Sequence, residues 1–256
     1  MPFTLAHPAA ILPFRGVRLL RTAPLILGAM APDLPYFLPK NLEKTLPETH
    51  EFSASFTTDL ALGYLMLLAV FALRRPLTAL LSPRARWLCL RALAPFRSNP
   101  SAWLLAALPI ILGVWTHLLW DSFTHSDGWF VHRIAALSAP VTLGSYTGPM
   151  SHVLQYLSSA FGLVIMAIWY WRLPAPARVP ATAGAPRSAV GPILVLVVAA
   201  AALIGGVQST AHFHRTHFIY GALNILFTHS IAWFAALYLV AGIVITLEHE
   251  HGRVRT

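Results

Sequence analysis

The sequence predicts an all-α fold: a polytopic membrane bundle of five transmembrane helices, preceded by an N-terminal segment that re-enters the membrane or lies at its interface. Of the 256 residues, 57% are hydrophobic and 11% are charged, whereas soluble domains carry about 25% charged residues. The charged residues cluster in short stretches between long apolar runs, as they do in chains that cross a bilayer repeatedly. This composition excludes an ordinary water-soluble globule, a coiled coil and a disordered chain.

Five apolar runs have the length of about 20 residues that a helix needs to cross the hydrocarbon core of a membrane. The first of them qualifies although it contains Asp59. The runs cover residues 54–73, 102–120, 152–171, 189–207 and 227–247.

The apolar stretch 22–38 is a poor straight helix, because it contains three prolines and Asp33. Broken backbone at membrane depth is stable only where protein or a water-filled cavity covers it. We therefore expect this stretch to re-enter the membrane or to lie at its interface, against the other helices. A sixth, kinked span is the alternative.

The arginines predict how the chain is oriented in the membrane. The loop 74–101 carries six arginines, whereas the loop 121–151 carries only Arg133, and arginine-rich loops stay in the cytoplasm. The first loop is therefore predicted to be cytoplasmic. Alternation of the spans then gives a multi-pass protein whose C-terminus is cytoplasmic too.

Proline and alanine dominate residues 172–188, which we interpret as an extended cytoplasmic linker. It separates a membrane domain over residues 1–171, which we expect to carry the functional site, from residues 189–256. This last part is predicted to be a two-helix membrane hairpin with a short tail.

The net charge of +9 at pH 7 comes from 18 basic and 9 acidic residues. Most of the arginines lie beside apolar spans, where anionic lipid headgroups are nearer than nucleic acid. Membrane lipid is therefore the expected partner, and nucleic acid is not. Cys89 is the single cysteine, so an internal disulfide is excluded.

The string THLLWDSFTH, over residues 116–125, contains a candidate metal-binding pair. His117 and Asp121 are one helical turn apart and share a face, and His125 continues that face only if the helix persists past Ser122. Imidazole nitrogen and carboxylate oxygen both bind zinc. The spacing alone leaves a second interpretation open, in which the two side chains pair only to reduce the cost of burying either.

Nine of the twelve histidines fall on the predicted outer side of the membrane or at outer helix ends, and histidine is the commonest metal ligand. A carboxylate in the bilayer costs about 2.5 to 3.5 kcal/mol, so Asp33 and Asp59 are functional candidates. Asp59 is expected to orient a ligand histidine rather than to bind metal. The alternative role for Asp33 is to cap a helix. The nine histidines are His50, His117, His125, His132, His152, His212, His214, His217 and His229.

The string AHFHRTH holds a second histidine cluster, formed by His212, His214 and His217. Such a cluster can bind an accessory metal or lipid headgroups. It also occurs in ordinary outer loops, and no carboxylate or cysteine stands nearby to complete a site. Both interpretations stay open.

Several strings resemble a bacterial integral-membrane family known as domain of unknown function 4184. They are MPFTLAHPAAILP at the start, LGAMAPDLPYFL around Asp33, the dipeptide Thr49–His50 and THLLWDSFTHSDGW after residue 115. The resemblance covers about residues 1–171. It implies that the chain lies in the bacterial cytoplasmic (inner) membrane.

The pattern of that family is in turn similar to membrane-bound metal-dependent hydrolases and, more distantly, to zinc phospholipase C. This similarity implies a divalent metal, with zinc expected. The implied ligands are His7, Asp33, His50, His117 and Asp121. The hydrolase pattern usually has a richer acidic string after the proline, of the form PDxD, whereas in this chain Asp33 is followed by Leu34, Pro35 and Tyr36. The chain is therefore expected either to hold fewer metal ions than a hydrolase or to be a silent relative.

The expected function is a metal-dependent hydrolase that cleaves a lipid-linked or phosphoester substrate at the outer face. His125 or His152 is the expected proton carrier. The alternative is a non-enzymatic membrane carrier or scaffold, in which the intramembrane aspartates form part of a pathway.

Overall fold

The structure is a computed structural model, and most of the residues that it describes are helical. The α-helices, in chain order, are α1 (Thr22–Gly28), α2 (Lys40–Glu43), α3 (Thr58–Ala72), α4 (Arg74–Ala79), α5 (Pro83–Leu93), α6 (Pro95–Ser98), α7 (Ser101–Leu104), α8 (Ala107–Thr124), α9 (Ala135–Ser138), α10 (Met150–Arg172), α11 (Arg187–Thr216) and α12 (Ile219–Val254). Three 3₁₀ helices cover Thr4–Phe14, Ala31–Phe37 and Ser53–Phe56. The described residues are 4–17, 19–38, 40–144, 146–174, 187–217 and 219–254.

In this described part of the chain, four helical segments are long and apolar enough to cross a membrane. They agree with four of the five predicted spans, and they indicate a membrane protein. Their bounds are Ser101–Thr124, Met150–Arg172, Ser188–Thr216 and Ile225–His249.

The remaining predicted span, 54–73, is shorter than expected. Its α-helix, α3, has 15 residues and follows a 3₁₀ helix over Ser53–Phe56. At 1.5 Å per residue, α3 is shorter than a hydrocarbon core of about 30 Å. The predicted count of five transmembrane helices is therefore not confirmed.

The stretch 22–38 is broken, as its prolines predict. Helix α1 ends at Gly28, and a 3₁₀ helix that contains Pro32 and Pro35 follows over Ala31–Phe37. Proline has no N–H to donate and clashes with the preceding turn, so a continuous α-helix cannot form here. The break places Asp33 in a short, buried turn.

A small β-hairpin corrects the all-α prediction. Strands β1 (Pro140–Leu143) and β2 (Tyr146–Pro149) pair antiparallel, with Val141 opposite Gly148. Valine, threonine and tyrosine favour strands, and Gly144 adopts a φ of 60° in the turn, which glycine allows without strain.

The contacts divide the chain into two compact units. Unit 1 comprises Met1–Leu67 and Phe96–Pro174, and unit 2 comprises Leu68–Pro95 and Ala175–Thr256. The predicted linker over 172–188 lies mostly outside the described residues, as do the first three residues of the chain. The predicted boundaries at 1–171 and 189–256 therefore stay predictions.

In unit 1, α1 and α8 touch through two glycines. A Cβ on Gly28 would overlap the backbone of Ile110, and a Cβ on Gly113 would overlap the backbone of Leu25 and Ala29. Only glycine permits backbones to approach so closely. Buried Ile11, Leu25 and Ala29 form a core cluster beside this contact.

In unit 2, α11 and α12 pack along each other, and α4 packs against α12. The Tyr238 hydroxyl donates to the carbonyl of Leu77 at 3.0 Å. Buried Arg86 donates to the carbonyls of Thr78 and Ala79 at the end of α4, where the last turn of a helix lacks the usual N–H partners four residues on.

Candidate metal centre

Four side chains from three separate segments converge in unit 1. Asp33 comes from the broken stretch, His50 from the loop before α3, and His117 and Asp121 from α8. Each offers one ligand atom, and these atoms all lie within 4.8 Å of one another. Asp33, His117 and Asp121 are buried and His50 is half-buried. This buried cluster could hold a metal ion.

Each imidazole Nε2 in the cluster faces both carboxylates. Nε2 of His117 lies 3.1 Å from Oδ2 of Asp121 and 3.7 Å from Oδ1 of Asp33. Nε2 of His50 lies 3.6 Å from Oδ1 of Asp33 and 3.7 Å from Oδ2 of Asp121. Nitrogen and oxygen atoms therefore surround one point, as the ligands of a shared cation do.

The hydrogen bond of Nδ1 shows which ring nitrogen of His117 carries the proton in the neutral ring. Nδ1 lies 2.8 Å from the carbonyl oxygen of Ala29, and a carbonyl can only accept, so Nδ1 carries the proton. In the neutral ring Nε2 then bears a lone pair. Nε2 is buried and has no hydrogen-bond partner among the described residues.

His50 is held in the same tautomer. The Thr49 hydroxyl donates to the carbonyl of Pro32 at 3.0 Å, so its oxygen is free to accept from Nδ1 of His50, 3.1 Å away. Nε2 of His50 therefore also bears a lone pair.

The two lone pairs point at carboxylate oxygens, which are also acceptors. With neutral rings such an arrangement is repulsive unless a cation lies between the groups, and that cation is either a metal ion or a proton bound to Nε2. The donor set fits a metal ion, since ligating histidines in proteins donate their other N–H to a carbonyl or a similar acceptor.

Asp33 is fixed by the start of the chain. The Thr4 hydroxyl donates to Oδ2 of Asp33 at 2.6 Å, across 29 residues of sequence. This bond leaves Oδ1 directed at His50 and His117. The alternative role of a helix cap is not observed, because the helix that contains Asp33 has Met30 at its cap position and no side-chain cap bond.

His7, a predicted ligand, lies against the cluster. Its ring stacks on that of His117 with centroids 3.9 Å apart, and its Nε2 is 3.5 Å from Oδ1 of Asp121. Burial lowers the pKa of His7 to about 4, so the ring is neutral at pH 7. His7 is not one of the four side chains whose ligand atoms converge, and its role as a ligand stays a prediction.

His125 ends α8, which does persist past Ser122 as far as Thr124. Its Nδ1 lies 3.3 Å from Oδ1 of Asp121, and its Nε2 lies 3.0 Å from the amide nitrogen of Gln155. With the Gln155 amide donating, Nδ1 carries the proton and faces Asp121. His125 thus contacts the cluster, and its predicted catalytic role stays a prediction.

Two other predicted residues do not reach the cluster through a hydrogen bond. Both carboxylate oxygens of Asp59 are buried without a partner among the described residues, whereas the ligand histidines are oriented by Ala29 and Thr49. His152 lies half-buried in the first turn of α10. The orienting role of Asp59 and the catalytic role of His152 stay predictions.

A cavity of about 880 Å³ opens onto the cluster. His50, Asp121 and His125 line it together with Tyr36 and Arg133. Burial and the charges of Asp33 and Asp121 raise the pKa of Tyr36 to about 12, so its hydroxyl stays a neutral donor. The guanidinium of Arg133 lies 3.7 Å over the ring of Trp129, where stacking holds a positive charge at the cavity.

Several residues that orient the ligands or His125 were not predicted to do so from the sequence. They are Thr4, Ala29, Thr49 and Gln155. Thr49 had a local signal, because it directly precedes His50. The others contact partners far along the chain, so no spacing pattern reveals them.

The second histidine cluster lies in unit 2. His214 and His217 are exposed, and Nδ1 of His229 lies 2.6 Å from the side-chain oxygen of Gln208. Across the described ranges, the group around His117 is the only set of three or more potential ligands that converges. His212 and His214 lie in the last turns of α11 and His217 directly follows the helix, so the structure does not place the first two in a loop, and the side of the membrane on which the cluster lies stays a prediction.

Comparison of the chain with curated proteins and with solved structures found no match in either case. A family model does match, and it covers residues 1–247, which include the C-terminal helices as well as the metal-site segments. The chain belongs to this family, described as a domain of unknown function, DUF4184.

Proposed function

We propose that this protein is a membrane-embedded, metal-dependent hydrolase that cleaves a lipid-linked or phosphoester substrate at the outer face of the membrane. One observation carries the proposal. The Nε2 lone pairs of His50 and His117 converge with oxygens of Asp33 and Asp121, and an open cavity reaches this point.

Zinc is the metal that we propose. Two imidazoles and two carboxylates form a nitrogen and oxygen set that zinc accepts, and the two negative charges balance a divalent cation. Atoms that each lie about 2.0 to 2.2 Å from one zinc ion can be at most about 4.4 Å apart. The cluster's nitrogen–oxygen distances of 3.1, 3.6, 3.7 and 3.7 Å are within this limit. His7 is the candidate for a further ligand.

A bound zinc ion would supply a coordinated water whose pKa is near 7 and a positive charge on the scissile group. The protein's own groups do the rest. His125 lines the cavity beside Asp121 and is the proposed proton carrier, with His152 as the second candidate. Tyr36 is placed to donate a hydrogen bond to a substrate oxygen.

We also propose the membrane arrangement that the sequence predicts. It has α3 as a fifth, short transmembrane helix, the stretch 22–38 as a re-entrant or interfacial segment, and a cytoplasmic C-terminus in the bacterial inner membrane. The arginine-rich residues 74–101 support this orientation. Membrane lipid is the proposed partner.

Hydrolysis by purified protein tests the proposal. Protein in detergent is treated with EDTA, reloaded with zinc, and given bis(p-nitrophenyl) phosphate or phosphatidylglycerol micelles. We expect hydrolysis of at least one substrate that needs zinc and falls more than about 100-fold in Asp121→Asn. His214→Ala, at an exposed position of unit 2, is the matched control and keeps full activity. Zinc-loaded protein that cleaves neither substrate contradicts the proposal.

A second candidate function is favoured by Asp59, whose buried carboxylate has no hydrogen-bond partner among the described residues. A buried, unpaired carboxylate is a typical element of an ion pathway. A metal carrier would move zinc into proteoliposomes, and Asp59→Asn would abolish that flux. Flux without hydrolysis would favour the carrier over the hydrolase.

A further inference from the structure

A second cavity of about 480 Å³ lies in unit 1, on another side of α8 from the metal cluster. It is a cleft between the first 3₁₀ helix, α8 and α10. Its walls are mainly aromatic and aliphatic, with Phe14, Leu112, Trp120, Phe123 and Leu154 among them. The volume falls within the range of about 300 to 1,000 Å³ that is usual for small-molecule sites.

The few polar groups in the cleft are satisfied within the protein. The hydroxyl of Thr116 donates to Gly113 and that of Thr124 donates to Trp120. The hydroxyl of Ser158 donates to the carbonyl of Gln155 and accepts the indole N–H of Trp120 at 3.2 Å. With its donors already used, the cleft suits a ligand without polar groups of its own, such as a hydrocarbon chain.

The cleft adjoins the cavity over the metal cluster. Trp115 and Leu119, on α8, line both. Leu119 is 57% exposed and Trp115 is 38% exposed, so they form an open, apolar ridge rather than a closed wall. One molecule can therefore lie across the ridge, with an apolar part in the cleft and a polar part beside His50 and Asp121.

The walls of the cleft include two of the candidate membrane helices, Ser101–Thr124 and Met150–Arg172. An acyl chain that enters the cleft from the side therefore stays in an apolar environment. A water-soluble substrate gains nothing from such a path.

We propose that this cleft binds an acyl chain of the substrate, while the bond to be cleaved lies at the cluster of Asp33, His50, His117 and Asp121. The proposal rests on the proposed hydrolase function and names its substrate class: a lipid with at least one long hydrocarbon chain. The cleft then selects substrates by the length of their acyl chain, and the cavity over the metal cluster selects them by their headgroup.

Filling the cleft tests this assignment. Leu154→Trp places a larger ring in the cleft, and Leu157→Trp, on the same helix at a 64% exposed position, is the matched control. Both variants are assayed with zinc on bis(p-nitrophenyl) phosphate and on phosphatidylglycerols of increasing chain length. Thermal melting and zinc content confirm that each variant is folded and loaded.

In the wild type and in Leu157→Trp, we expect kcat/KM to rise up to about fourfold for each methylene that the cleft buries. Leu154→Trp should lose this rise and keep its activity on the chainless diester. The proposal is overturned if Leu154→Trp keeps the wild-type chain-length dependence, or if the wild type cleaves the diester with no chain-length dependence.

A second measurement does not depend on hydrolysis. Delipidated protein in detergent is given one equivalent of phosphatidylglycerol with a diazirine at its chain end, irradiated and mapped by mass spectrometry. Labelling of residues 112–123 or 154–158 is expected in the wild type and in Leu157→Trp, and its loss in Leu154→Trp. If no substrate is cleaved but this pattern holds, the hydrolase proposal fails and the acyl-chain site stands. Absence of labelling in the wild type overturns the acyl-chain site.

Discussion

Both units of this protein are rich in histidine, but among the residues that the structure describes only those of unit 1 form a candidate cation site. In unit 1 the imidazoles of His50 and His117 meet two carboxylates at 3.1 to 3.7 Å. In unit 2, His214 and His217 are exposed at and beyond the end of α11. Histidine density along the chain is therefore a weak guide to a metal site. Burial and carboxylates from distant segments make the difference.

Substitutions in the two units should differ most in their effect on metal binding. His117→Gln, which keeps a polar side chain at the buried position, and Asp121→Asn should weaken metal binding by more than about 100-fold. His212→Ala should leave it unchanged. Zinc content after dialysis, measured by inductively coupled plasma mass spectrometry, checks both. If His212→Ala loses as much zinc as His117→Gln and Asp121→Asn do, a site confined to unit 1 is contradicted.

The glycine contact between α1 and α8 offers the next largest effect. A Cβ on Gly113 would overlap the backbone of α1, whereas a Cβ on Gly206 of α11 meets nothing within 4 Å. Separating α1 from α8 also breaks the bond from His117 to Ala29. We expect Gly113→Ala to cost about 3 kcal/mol and to lower Tm by about 6 to 12 °C.

Gly206→Ala is the control, and it should leave Tm unchanged or slightly raised, because alanine favours helices. Thermal melts in detergent measure both variants. Equal Tm values would mean that the close approach of α1 and α8 has little energetic importance.

Acid should destabilise unit 1 through the protonation of His7. Burial lowers the pKa of His7 from 6.5 to about 4, so the unfolded chain binds more protons between these values. The stability that neutral His7 contributes is present above pH 6.5 and is lost as the pH falls toward 4. A pKa shift of this size changes the free energy of unfolding by at most about 3 kcal/mol.

The variant His7→Phe keeps the aromatic contact and should lose less stability than the wild type over this range. Tm of the metal-free protein at pH 6.5 and pH 4, with EDTA present, measures the difference. His214→Phe, in unit 2, should behave as the wild type. The prediction is wrong if His7→Phe and the wild type lose stability equally.

The smallest predicted effect concerns a residue that only positions a ligand. Thr49→Val removes the oxygen that accepts from Nδ1 of His50, and the loss of such a partner typically weakens metal binding by about tenfold or more. Thr210→Val, on α11, removes a hydroxyl that donates to Gly206 and should have no effect. Competition with a chromogenic zinc chelator measures both affinities. Unchanged affinity in Thr49→Val would show that His50 does not need this support.

The candidate membrane helices could be predicted because the bilayer demands long apolar runs, and four such runs are helical. The length of α3 and the presence of the β-hairpin could not be predicted from the sequence. Helix α3 has 15 residues inside a longer apolar run, and the hairpin depends on a turn at Gly144 within a loop that hydropathy does not resolve.

The candidate site was predictable to a different degree at each residue. His117 and Asp121 follow from helical spacing, because residues four apart share a face. Asp33 was a functional candidate because of the cost of a carboxylate in the bilayer, and His50 was one of the predicted outer histidines. Their role as metal ligands was implied only by family resemblance, because Asp33 and His50 lie 84 and 67 residues before His117. Thr4 and Ala29 had no sequence signal, since their partners lie 29 and 88 residues away.

Composition and local periodicity are enough to predict a helical chain that is suited to a membrane and has ionisable side chains at specific points of its apolar segments. Which of those side chains meet depends on the tertiary structure. The tautomers of His50 and His117 are set by Thr49 and by the carbonyl of Ala29, and that carbonyl reaches α8 only because glycine lets two backbones touch. Contacts of this kind depend on the whole fold, which no local pattern encodes.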